Sequence, residues 1–100
     1  MNSTEDKVLC ETPTPGKQPT RIDRWKYDLV RSAILQVVPA DDKGVEFDRL
    51  AELVEHQIPA EDLKRFGTVS WYTTTVKLDL EARGEIERVP GSGPQTLRLV

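Results

Sequence analysis

The sequence predicts an α+β domain, mainly α, in which three main helices precede a C-terminal β-hairpin. Apolar residues recur at helical spacing in three segments, from Thr20 to Val38, from Phe47 to Ile58 and from Thr68 to Arg83. Pro39, Pro59 and Gly84 close those segments, and Gly67 stands just before the third. Beyond Gly84 the pattern changes to alternation, with "EIERV" and "QTLRLV" on either side of the turn sequence "PGSGP".

The first 19 residues are rich in Thr, Pro and charge and have no sustained apolar period. Such a segment buries too little surface to offset its ordering entropy, so a disordered tail is expected over 1–19 and a folded domain over 20–100. Thr20 and Asp23 have capping-box spacing, and Ile22, Trp25, Leu29, Val30, Ala33, Ile34 and Val37 then mark the first helix. Pro39 biases Val38 away from helical angles and ends it. After the turn "ADDKG", "VEF" suits a very short strand. Phe47, Leu50, Ala51, Val54 and Ile58 form the stripe of the second helix, and "AEDLKRF" reads as a further short helix. The third main helix follows Thr68, with Gly84 at its left-handed C′ position.

The chain has 100 residues, 37% hydrophobic and 31% charged, with a formal net charge of −3. That balance fits one soluble domain with a small core. No apolar run approaches the ~18 residues of a membrane span, and the N-terminus lacks a signal-peptide layout, so a cytoplasmic protein without membrane contact is expected. Cys10 is the single cysteine, read as a surface thiol in a reducing compartment. The acidic balance weighs against nucleic acid, although charge distribution can override the total.

The element order, ending in "LDLEARGEIERVPGSGPQTLRLV", resembles the winged helix-turn-helix superfamily. The local match is Leu80, Glu81, Ala82, Arg83 and Gly84, followed by Ile86, Glu87 and Arg88, and it is similar to MarR-type regulators where the recognition helix enters the wing. The tryptophan early in that helix is similar to winged-helix modules attached to restriction endonucleases. The stretch "GTVSWYTTTVKLDLEARGEIERVPGSGPQ" resembles a family of small stand-alone bacterial proteins of this fold with no established activity. The resemblance implies a winged-helix fold over residues 20–100. "PAEDLKRFGT" replaces the short turn that ordinarily precedes a recognition helix.

At 100° per residue, Val69, Thr73, Val76, Leu80 and Arg83 share one side of the third helix. Trp71, Thr74, Thr75, Leu78 and Ala82 lie roughly opposite, so the helix is apolar on two faces. Either "AEDLKRF" or the hairpin covers the second face, or that face is presented to a partner. The leading expectation is binding to double-stranded DNA in a regulatory role, for which the resemblance implies Ser70, Trp71, Thr74, Thr75, Lys77 and Leu78 at the groove, with Arg88 and Arg98 of the wing on the backbone. Four cations on phosphates would give a log–log salt slope of only about −3 to −4, so useful affinity needs a dimer or a tethered partner. The alternative is a protein-interaction or dimerisation module, with Trp71, Leu78 and Ala82 as the contact.

Nothing in the sequence assembles catalytic chemistry. Glu52 and His56 share a helix face but lack further convergent ligands, which is no specific metal site. Cys10 is remote from any base, Asp41 and Asp42 suit a turn, and "PGSGP" lacks the lysine of a phosphate loop. A non-enzymatic protein without cofactor is expected.

Overall fold

Helices α1 (Arg24–Val37), α2 (Phe47–Gln57) and α4 (Val69–Ala82) enclose the core of the computed structural model, which describes residues 6–14, 16–91 and 93–100. Each helix offers one apolar stripe, and the three stripes meet: Val30, Ala33 and Ile34 of α1, Leu50 and Val54 of α2, Val76 and Leu80 of α4 are all buried. Full burial of such a side chain is worth about 1.5–3 kcal/mol, so this meeting point is the main favourable term of the fold. Tyr27 joins the same core from α1. A four-residue helix, α3 (Ala60–Leu63), links α2 to α4. It is followed by Phe66, which is buried, and Gly67, whose φ of 82° is left-handed.

A three-stranded antiparallel sheet covers one side of the helices. Strand β3 (Val45–Glu46) pairs with β5 (Thr96–Leu99), and β5 pairs with β4 (Ile86–Arg88). Ile86 and Leu97 point into the core. Gly44 makes the entry into β3 possible: its φ is +61°, and a Cβ there would stand 2.5 Å from Thr96 Cγ2 and 2.6 Å from the Leu97 carbonyl. At the other end, α4 closes with Gly84 at φ 77°, Gly84 N–H donating to Glu81 O at 3.1 Å and Glu85 N–H to Leu80 O at 2.9 Å. This double closure is the Schellman arrangement, and it turns the chain directly into β4.

The N-terminal segment expected to be a disordered tail is instead ordered from residue 6 to 14 and from 16 to 19. Lys7–Cys10 is a strand, β1, paired antiparallel with β2 (Thr20–Asp23) in the register Lys7↔Asp23, Val8↔Ile22 and Cys10↔Thr20. Val8, Cys10 and Ile22 are buried, so the supposed tail contributes to the core and Cys10 is not a surface thiol. The expectation for residues 1–5 and 15 lies outside the described residues. Thr20 does not cap a helix. It starts β2, α1 begins at Arg24, and Asp23 in the N-cap position makes no side-chain capping bond. Strand pairing satisfies the backbone groups that a capping box would otherwise have served.

Candidate functional site

Helix α4 lies against α1 and α2 through Thr73, Val76, Lys77 and Leu80, and its far side carries most of the residues singled out in the sequence. Ser70, Trp71, Thr74 and Ala82 are exposed, Thr75 and Leu78 half-buried. Trp71 keeps 48% of its surface in solvent, the one large hydrophobic side chain of the helix that is exposed. Thr75 Oγ1 is turned back and donates to the Trp71 carbonyl at 2.9 Å. The result is an uncharged strip of Trp71, Thr74, Leu78 and Ala82 along one side of the helix.

The cations expected beside this strip are differently placed. Lys77 is only 2% exposed; its ammonium pairs with Glu81 one turn on and sits 4.8 Å from the Phe47 ring centroid. It is therefore not a groove residue. Its four-carbon stem lies in the core between α4 and the start of α2, which the partner carboxylate and ring make tolerable. Arg88 reaches the second Glu81 oxygen at 3.4 Å. Arg98 donates to Glu87 at 2.6 Å and pairs with Asp42. Hydrogen bonding to Glu87 pushes the Arg98 guanidinium above its usual range. The hairpin cations thus meet carboxylates of the same chain, and no positive strip joins Lys77, Arg88 and Arg98.

Other cations gather at the opposite end of α4, among aromatic rings. Trp25, Phe66 and Tyr72 follow one another edge to face at centroid separations of 5.2 and 5.4 Å, and Trp71 extends the row from Tyr72 at 5.0 Å. Arg65 stacks 4.2 Å from the Trp25 centroid. Lys26 Nζ donates to Tyr72 Oη at 3.0 Å and stands 4.7 Å from that ring's centroid. Neither cation has an ion pair among the described residues. No local pattern marks this row in the sequence, because its members come from α1, the α3–α4 link and α4.

Part of the second face of α4 is covered, and by an element not anticipated. The connection from β1 to β2, through Thr12, Thr14 and Gln18, borders a recess with Thr75 and Leu78. What holds this hairpin is Asp79, which is fully buried. Its Oδ1 accepts from Glu11 N–H at 2.8 Å, and its Oδ2 accepts from Arg83 Nε at 2.8 Å and from the Tyr27 hydroxyl. Arg83 Nη2 donates in turn to the Leu9 carbonyl at 3.3 Å. One i,i+4 pair therefore offers an acceptor and a donor to the backbone edge of β1. The cluster moves its neighbours' titration: burial, then the Asp79 charge, pushes the Cys10 thiol up to about 11. Burial and the bond to Asp79 push Tyr27 upward as well.

Among the described residues no group of three His, Cys, Asp or Glu is placed to hold a metal ion, and no helix is long and apolar enough to cross a membrane. His56 and Glu52 are both exposed on α2. Over its described residues the molecule is thus a small α+β domain of four helices and two antiparallel sheets, whose helix α4 carries an uncharged, partly exposed face. The chain belongs to a family of unknown function, DUF6958, whose model matches residues 7–97, a span that begins with β1. No curated protein and no solved structure matches it.

Proposed function

We propose that the domain is a winged helix and that it works as a protein-interaction module through the outward face of α4. The order α1, β3, α2, α3, α4, β4, β5, with β3 laid onto the far strand of the C-terminal hairpin, supports the winged-helix reading. The functional reading rests on one observation. Trp71 stands half exposed in a strip without charge, while Lys77, Arg88 and Arg98 are each engaged by carboxylates of the chain. Covering the exposed half of a tryptophan removes about 100 Å² from water, worth about 2–3 kcal/mol, and aromatic anchors of this kind dominate interface energies. Leu78 and Ala82 extend the contact along the helix. The net charge of −3 is no obstacle to a protein partner.

A second reading, duplex DNA, draws on a different observation. Lys26, Lys64 and Arg65 have no ion pair among the described residues and flank the start of α4. DNA contact would then run through the α3–α4 corner in place of the wing, with a salt slope of about −3 for three phosphates.

The test is a photo-crosslinking amino acid placed at Thr74 in the full chain and irradiated in cells. The interaction reading expects a discrete protein adduct that disappears when Trp71→Ala is added and does not form from Gln36, which is exposed on α1. Adducts confined to nucleic acid, or adducts indifferent to Trp71→Ala, would refute it.

A further inference from the structure

We infer that the slot holding β1 also accepts β1 from a second copy of this chain, so that two molecules exchange their N-terminal strands. Every described contact that secures β1 is made by residues beyond its connecting loop. Its backbone partners are in β2, with Asp6 O also accepting from Arg24 N at 3.0 Å. The bond from Arg24 sets the parity of the ladder, so the Leu9 carbonyl and Glu11 N–H lie on the edge away from β2. On that edge Asp79 and Arg83 bind those two groups as a neighbouring strand would. Val8 and Cys10 fill the space beneath. The slot thus recognises backbone on both edges and two small apolar side chains below, and nothing in it requires that the strand come from the same molecule.

The connection makes exchange mechanically feasible. Residues 11–19 join the strands, and Glu11, Pro13, Thr14 and residues 16–19 are exposed, so the loop gives the core little that opening would forfeit. Among the described residues its one backbone–backbone hydrogen bond outside the strands is Lys17 N–H to Thr14 O at 3.4 Å, beside the local bond from Thr14 N–H to Thr12 Oγ1 at 3.3 Å. The loop sequence carries Pro13, Pro15 and Pro19, which bias the preceding residues toward extended backbone. Fully extended, these residues reach about 30 Å by chain geometry. The domain is 19 Å across its shortest axis, so an opened loop can deliver β1 to an adjoining copy. All strand contacts are then remade identically, and only the loop conformation and the concentration decide the balance.

The first experiment mixes two full-length variants, both carrying Cys10→Ala, one with Lys7→Cys and the other with Asp23→Cys. Positions 7 and 23 are directly opposed in the ladder, so a disulfide between the two variants reports a strand seated in the other chain. Exchange predicts a covalent heterodimer severalfold above that from Lys7→Cys mixed with Gln36→Cys. A yield equal to that control overturns the proposal. The second experiment needs no substitution: equal parts of isotope-labelled and unlabelled native chain are mixed at millimolar concentration. Isotope-filtered contacts between Val8 of one chain and Ile22 of the other are expected, and their absence overturns the proposal. The signals persist in Trp71→Ala under strand exchange, which separates this dimer from association through the α4 face.

Discussion

Asp79→Ala is the substitution to which the hairpin should respond most strongly. The carboxylate is fully buried and accepts hydrogen bonds from Glu11 N–H, Arg83 and Tyr27. The three losses are unequal. Tyr27 is buried, so its hydroxyl loses a charged acceptor without gaining water, which costs about 2 kcal/mol. The Arg83 side chain is 46% exposed, and rehydration limits its loss to about 0.5 kcal/mol. Glu11 is also exposed, so its N–H loss stays under about 1 kcal/mol. The total, about 3 kcal/mol, is a large share of the roughly 5–15 kcal/mol available to a domain of this size. Urea unfolding gives the global value, and amide exchange at Val8 and Cys10 gives the local one, with β1 expected to lose protection before α1 or α4. Tyr27→Phe removes one of the same bonds, so the double variant should fall short of additivity by about 1–2 kcal/mol. A loss below about 1 kcal/mol in Asp79→Ala, with β1 protection unchanged, would refute this reading.

Three further outcomes are expected. Gly44→Ala places a methyl against the Leu97 carbonyl at a left-handed φ, and unfolding measurements should show a loss of about 3 kcal/mol. The Cys10 thiol, whose ordinary pKa is 9.0, is pushed up to about 11 within the fold, so between those values the unfolded chain has shed a proton that the folded chain keeps. Stability from this group is therefore full below about pH 9 and falls by about 2–3 kcal/mol on rising to about pH 11, a component that Cys10→Ala should remove from denaturation curves. Trp71→Ala should change stability by only about 1 kcal/mol, the edge contact to Tyr72 being the main loss, while abolishing the Thr74 crosslink.

Much of the helical framework could be read from the residues themselves. Phe47, Leu50, Val54 and Ile58 repeat at helical spacing, and α2 presents that stripe to the core. Gly84 marks the stop of α4, and the alternation around "PGSGP" marks β4 and β5. These signals are local, since period and punctuation need no knowledge of the rest of the chain. The N-terminal hairpin was not legible for the converse reason. In "KVLC" the outward residue is Leu9, which blurs the alternation, and the partner strand lies beyond a Pro-rich loop. "TRID" carries a capping-box spacing as readily as a strand.

The site was legible only in part. Helical spacing placed Trp71 and Thr74 outward and Val76 and Leu80 inward, as found. It gave no sign that Lys77 would be buried, because that depends on Phe47, Glu81 and Arg88 converging from three elements. Asp79 could not be singled out either. A lone carboxylate in a helix reads as surface until Tyr27, Arg83 and the backbone of Glu11 are known to surround it.

The most direct test of the interaction reading is an amide-shift titration of the native chain with a mixed-sequence DNA duplex at low salt. No shifts are expected at residues 70–78 and 88–98, since the strip on α4 is uncharged and the hairpin cations are engaged. Salt-sensitive shifts concentrated in those residues would contradict that reading and make α4 a DNA-reading helix.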